Sequence, residues 1–367
     1  MGSGTAKNLN IKNKTVLVLA DFFLPLGNIA PTVQALAKNK NKVLVVGNFL
    51  DQSLEDHAAG LAAIMSRKFI TLPKSAEKLP EYDIPHMYFA AGAKLLQQMR
   101  AGDIAVVENL NLLGRYEIDS LTRMAEFFVN DSFGADELLV KSLAGRLPKE
   151  DGLQSTRTKK NLDLFLSRSK KPLVLVLGGT RLAGKEAVLD KLMHKADTVL
   201  IGGGAANLFF KISGLEIGKS AVDTSTDEKM IKKLWRDYRA KIKLPIDVVA
   251  AADGSVRVEC VKPSLVKNHQ RILDIGPLTT LEFSKFIKQA RTLVWSGALG
   301  RVEEKKFTHG TAALLRLFAS RSVQNKTHVV AAASGETILP MLEQAGFLQR
   351  LDLALPSSLS LFKALTK

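Results

Sequence analysis

Cysteine is almost missing from this chain of 367 residues, and the one copy, Cys260, excludes a disulfide framework and a thiolate metal cluster and fits a reducing compartment. Within the run VRVECV it is expected to be a small buried hydrophobe of a strand. Aromatic residues are scarce too, at 6%, and the basic residues are not interleaved with them, so nucleic acid is not an expected partner. No apolar run approaches the ~18 residues of a membrane span, and MGSGTAKNLNIKNK has no apolar centre for a signal peptide; a soluble cytoplasmic protein is expected. The same N-terminus misses the myristoylation pattern at Ala6. Acidic residues are the minority, 36 against 52 Lys and Arg, giving +16. That excess attracts anions, and its plain reading is a solvated basic surface.

What is present is apolar and periodic. At 46% hydrophobic the chain is long enough for two cores. Residues 15–23, 42–49, 104–110 and 127–133 read as buried strands, with helical patterns such as AGAKLLQQMRAG and IDSLTRMAEF between them, which predicts a βα series and a mainly parallel sheet. A polar, basic stretch at 149–171 carries Leu153, Leu162, Leu164, Phe165 and Leu166 and reads as one amphipathic connecting helix. A second series follows at 173–178, 198–202, 244–250, 292–296 and 328–333. Expected are two doubly wound α/β domains, 1–148 and 172–367, joined by the helix of 149–171.

The strand-end segments carry the chemistry, because open α/β sheets bind ligands there. The run Gly179-Thr180-Arg181-Leu182-Ala183-Gly184-Lys185-Glu186 follows a strand and nearly fits a P-loop, but Glu186 stands where Ser or Thr would hold the metal and would repel phosphate. The six histidines show no metal-ligand spacing.

Taken together and in order, VNDSFG, LGGTRLAGK, IGGGAANLF, LEIGKS and WSGALG, with ADFFLPL and ENLNLL before them, resemble the phosphoglycerate kinase family over nearly the whole chain. The resemblance implies that family's fold, a phosphoglycerate side in the first domain, a Mg-nucleotide side in the second, and a hinge helix between. It implies phosphoryl transfer between bisphosphoglycerate and ADP, a reaction that depends on positioning and on cations that neutralise the moving oxygens.

Set against the family's pattern, the first half has lost those cations. Asp21 remains of the substrate segment, but Phe23 replaces its amide and Asn28 stands for the catalytic arginine. The loop after the second strand reads Gly47-Asn48-Phe49-Leu50-Asp51, Asn111 takes an arginine position, and Ala135-Asp136-Glu137-Leu138-Leu139 replace histidines and an arginine. The second half is less altered. Arg181 and Lys185 occupy two lysine positions, Gly178, Gly179, Thr180, Gly203 and Gly204 form the nucleotide-side loops, and Glu303 takes the ribose-binding position. Ser296 replaces an asparagine, Ala298 a proline, and Ser334 the metal-associated aspartate, while 354–358 lack the usual glycines. The glycines have a second reading, as packing requirements of tight turns, and Asp21, Asn130 and Asp131 as caps or braces.

Two functions are expected from this. The first is a catalytically impaired family member with at most a vestigial site for ATP or ADP, little use for Mg²⁺ or phosphoglycerate, and an unidentified protein partner, as a monomer. The second is a working phosphoglycerate kinase or related phosphotransferase of glycolysis.

Overall fold

The computed structural model describes residues 9–48, 52–71, 96–113, 115–255, 257–323, 329–335 and 337–366. The chain divides into two compact units, 1–160 and 161–367, and the helix Leu153–Arg168 crosses the boundary between them.

The first unit holds six parallel strands, β1 Thr15–Asp21, β2 Lys42–Asn48, β3 Ile70–Thr71, β4 Ile104–Asn109, β5 Phe127–Asn130 and β6 Lys149–Asp151, in the order β3-β4-β2-β1-β5-β6. β1 shows why its sequence is continuously apolar. Val16, Val18 and Ala20 enter one buried cluster with Leu36 and Leu61, and Leu17 and Leu19 enter another with Leu121 and Leu143. Helices Leu26–Lys38 and Glu55–Met65 supply the first of these layers, Arg115–Met124 and Glu137–Ala144 the second. A strand covered on both faces cannot alternate apolar with polar.

The second unit repeats the plan with β7 Leu173–Leu177, β8 Thr198–Ile201, β9 Ile242–Lys243, β13 Thr292–Ser296, β14 Val330–Ser334 and β15 Leu353–Leu355, all parallel, ordered β15-β14-β13-β7-β8-β9. Between β9 and β13 lies a separate antiparallel sheet of β10 Val248–Ala252, β11 Glu259–Val261 and β12 Gln270–Ile275.

That sheet corrects two expectations. The strand expected at 244–250 starts at Val248 and pairs antiparallel, because Asp247 is taken by the helix Pro277–Gln289: its carboxylate accepts from the N–H of Leu278 at 3.0 Å and of Thr279 at 2.6 Å. Cys260 is exposed, not buried, since β11 is a sheet edge; its Sγ donates to Asp247 Oδ2 at 3.4 Å. The connecting segment also differs. Residues 149–151 form β6, the helix begins at Leu153, and its buried face is Leu162 and Phe165, with Leu164 and Leu166 exposed. Part of the helix expected at 91–102, the tip 49–51, His86 and His328 lie outside the described residues.

Candidate functional site

In each six-stranded sheet the chain runs outward to one side of a central strand and then returns to fill the other, so a crevice opens at the carboxyl ends of β1 and β5 in the first unit and of β7 and β13 in the second. The sequence-expected residues fall at or just after the carboxyl ends of strands: β1, β4 and β5 in the first unit, and β7, β8, β13 and β14 in the second.

In the second unit the turns after β7, β8 and β13 are laced together by backbone. Gly178 N–H donates to Ser296 O and Gly179 N–H to Ala298 O, both at 2.7 Å; Gly203 N–H reaches Leu299 O at 2.9 Å and Ala205 N–H reaches Gly179 O at 2.8 Å. A Cβ on Gly178 would lie 2.3 Å from Ala298 O, and one on Gly203, at φ +59, would lie 2.6 Å from the same atom. These glycines are therefore demanded by the protein's own packing. Gly179 differs: its φ is +78, but a Cβ there would meet only Gly297 Cα at 3.8 Å, so its outer face is open. Gly204 sits against Thr180, whose Cγ2 would be 2.6 Å from an added Cβ.

The loop that carries the two cations is pinned by a residue sequence reasoning missed. Asp223 Oδ2 accepts from the N–H of Leu182 at 2.9 Å and of Ala183 at 3.1 Å. The Ser225 hydroxyl and the Ala183 N–H hold this carboxyl well below the usual range. Lys185 Nζ donates to Arg181 O at 2.8 Å, just before helix Glu186–Lys195, and the Arg181 side chain is exposed. Glu186 Oε1 accepts from Asp227 N–H at 3.2 Å, which gives the misfit P-loop residue a structural task.

Across the sheet, Ser296 Oγ donates to Ser358 Oγ at 2.7 Å at the start of helix Ser358–Thr366. Ser334, its register partner on β14, is 0% exposed, and its Oγ has no hydrogen-bond partner among the described residues. Glu303 is exposed in the loop after β13. That loop is braced by a second missed residue, Asp274, whose Oδ2 accepts from Gly310 N–H at 2.9 Å; burial raises its pKa to about 6. An added Cβ on Gly300 would lie 2.3 Å from Asp274 Oδ1, so carboxylate and glycine require each other.

In the first unit the described residues at the ends of β1, β4 and β5 are carboxyl, amide and apolar. Asp21 ends β1, is 8% exposed, and accepts from Phe23 N–H at 3.2 Å; burial raises its pKa to about 7, with the charge of nearby Asp131 adding to the rise. Asp131 follows β5, is 1% exposed, and is likewise raised to about 7 by burial. Its Oδ1 accepts from Gln154 N–H at 2.8 Å and Ser155 N–H at 3.1 Å, capping helix Leu153–Arg168. Asn130 Oδ1 accepts from Ser132 N–H at 3.2 Å, so the expected bracing roles hold for all three. Asn28 is half-buried in the first turn of Leu26–Lys38, and Asn111 is exposed, its N–H bonded to Asn109 Oδ1 at 3.0 Å. Asp136 Oδ1 caps its own helix at Leu138 and Leu139, 2.9 and 3.1 Å away, which accounts for an acid where the family pattern is basic.

Asp21 and Asp131 are buried at these strand ends, and the segments 15–37, 104–113 and 124–140 contain no Lys or Arg. Among the described residues no three His, Cys, Asp or Glu gather to hold a metal, and no helix is long and apolar enough to cross a membrane.

The family model for phosphoglycerate kinase matches residues 6–353. Among curated relatives, the phosphoglycerate kinase of Pelotomaculum thermopropionicum is 29% identical over 352 residues, 87% of this chain and 86% of that protein. The one from Chloroflexus aggregans is 28% identical over 96% of this chain and 93% of its own length. The crystal structure of phosphoglycerate kinase from Pyrococcus horikoshii matches with a TM-score of 0.75 at 18% identity, covering 97% of this chain and 94% of that one, and the Coxiella burnetii enzyme with 0.63 at 22%, covering 98% and 95%. With a family match over nearly its full length, this chain belongs to the phosphoglycerate kinase family.

Proposed function

We propose that this family member does not turn over phosphoglycerate and keeps only a reduced nucleotide-facing site in its second unit. The observation that carries the reading is the first unit's crevice, where Asp21, Asp131, Phe23, Asn28 and Asn111 stand at the strand ends. A phosphoglycerate placed there would find Phe23, Asn28 and Asn111 where the family pattern has polar or basic ligands, above the buried carboxyls of Asp21 and Asp131. Each charge-assisted hydrogen bond to a charged group is worth about 1.5–3 kcal/mol, so losing several removes many decades of affinity.

The second unit supports a partial site. The open face of Gly179, the exposed Arg181 and Lys185 beside it fit an approaching nucleotide, which would supply the transferable phosphoryl group. The N–H groups of Gly178, Gly179 and Gly203 already bond to protein carbonyls and cannot also cradle phosphate without giving those up. Mg²⁺ does not fit: Ser334 offers a buried hydroxyl where a hard dication wants carboxylate. The competing reading, a working phosphotransferase, rests on the two retained cations.

Calorimetric titration of the whole chain with phosphoglycerate, ADP and ATP, with and without Mg²⁺, tests this. Expected are no saturable phosphoglycerate isotherm at millimolar concentration and a nucleotide affinity insensitive to Mg²⁺. A clear phosphoglycerate isotherm would overturn the reading.

A further inference from the structure

We propose that the second unit carries a separate binding groove for a compact apolar anion, an aryl or branched aliphatic carboxylate, between helices His309–Val323 and Ile338–Gln344. The groove has a volume of about 250 Å³, somewhat below that of a drug-sized site, which suits a ligand of on the order of ten heavy atoms. Its floor is Leu315 and Leu342, both buried, and its walls are Ala312, Met341 and Phe347. Methionine there adapts its shape to what enters.

The charge class comes from Arg316. This residue lines the groove and is exposed, and its guanidinium has no hydrogen bond or ion pair among the described residues. Its neighbours are engaged: Arg321 donates to Ala290 O at 3.3 Å, and Arg350 lies over the Phe347 ring at 5.5 Å. The acidic residue of the facing helix, Glu343, does not line the groove. A planar, weakly hydrated fork at the margin of an apolar floor matches a carboxylate bidentately while the floor takes the ligand's body.

None of the lining residues belongs to the crevice described above, so the site stands whether or not a nucleotide binds. The two are nevertheless built on the same helices. Thr311, in the first turn of His309–Val323, accepts from Leu299 N–H at 3.0 Å, and Ile338 and Leu339 N–H donate to Gly335 O at 3.2 and 3.1 Å.

The test is methyl NMR of the full chain titrated with cinnamate and with its neutral isostere cinnamamide. Saturable shifts are expected at Leu315, Met341 and Leu342 with cinnamate, and an affinity for the amide lower by about tenfold or more. Arg316→Gln, a surface change, should bring cinnamate down to the amide's level, and Ala345→Phe, which fills the groove from its rim, should abolish both. Absence of saturable shifts at millimolar cinnamate, equal affinity for acid and amide, or an unchanged Arg316→Gln variant would overturn the proposal.

Discussion

At Asp131 two effects oppose each other. Two helix N–H bonds and the Thr32 hydroxyl favour the carboxylate, while near-complete burial favours the acid, and burial wins. Asp21 lies in the same direction with fewer donors. Because both folded pKa values, about 7, stand above the ordinary 3.8, the folded chain binds more protons than the unfolded chain between about pH 4 and 7. Stability from these two groups is therefore greatest below pH 4 and is lost as pH rises through 7. Asp21→Asn keeps an acceptor for Phe23 N–H and removes the charge. Urea unfolding should find it level with the parent near pH 3 and increasingly more stable as pH rises, by up to about 4 kcal/mol at pH 8; a variant less stable at pH 8 would show that the ionised form is the favoured one.

At the scale of an element, helix Leu153–Arg168 is fixed at its start by three side-chain acceptances: Leu153 N–H to Thr32 Oγ1 at 2.9 Å, then Gln154 and Ser155 to Asp131. Gly152 makes this possible, since a Cβ there would lie 2.1 Å from Asp131 Oδ1. Gly152→Ala should cost about 2–3 kcal/mol by combining the clash with loss of a cap. Gly27→Ala, where a Cβ meets nothing within 4 Å in the first turn of Leu26–Lys38, should be neutral or stabilising by up to about 1 kcal/mol. Thermal unfolding of the pair separates crowding from glycine's entropy, and equal midpoints would refute the crowding argument. These elements also show what a linear reading can see. The parallel strands were legible because burial on both faces writes itself as unbroken Val, Leu and Ile, as in β1 and in β13, whose bounds 292–296 match the expectation. β12 and the antiparallel sheet are not legible in a linear reading: QRILDI mixes polar with apolar, and the pairing of β10 with β11 and β12 depends on contacts distant in sequence. Among site residues, Lys185 and the glycines were found through motif order, whereas Asp223 and Asp274 act on loops 41 and 36 positions away and leave no local signature.

At the scale of the molecule, phosphoryl transfer needs substrate orientation, charge neutralisation and metal placement at once, and the proposed loss touches all three. Removing one such charge clamp can cost on the order of 10³-fold in rate, and groups that act as a unit are not additive. Asn28→Arg alone would place one guanidinium at the first turn of Leu26–Lys38, facing a crevice that still holds Asp21 and Asp131 and still lacks a cation at Asn111. It should therefore leave turnover at background. In a coupled assay the purified full chain and Asn28→Arg are both expected to be indistinguishable from Lys185→Ala, which removes a retained cation of the second unit. Ordinary kinase turnover that disappears only in Lys185→Ala would reverse this, because it would mean that Arg181 and Lys185 suffice to neutralise the moving phosphoryl group and that the first unit holds its substrate through contacts other than the strand-end cations.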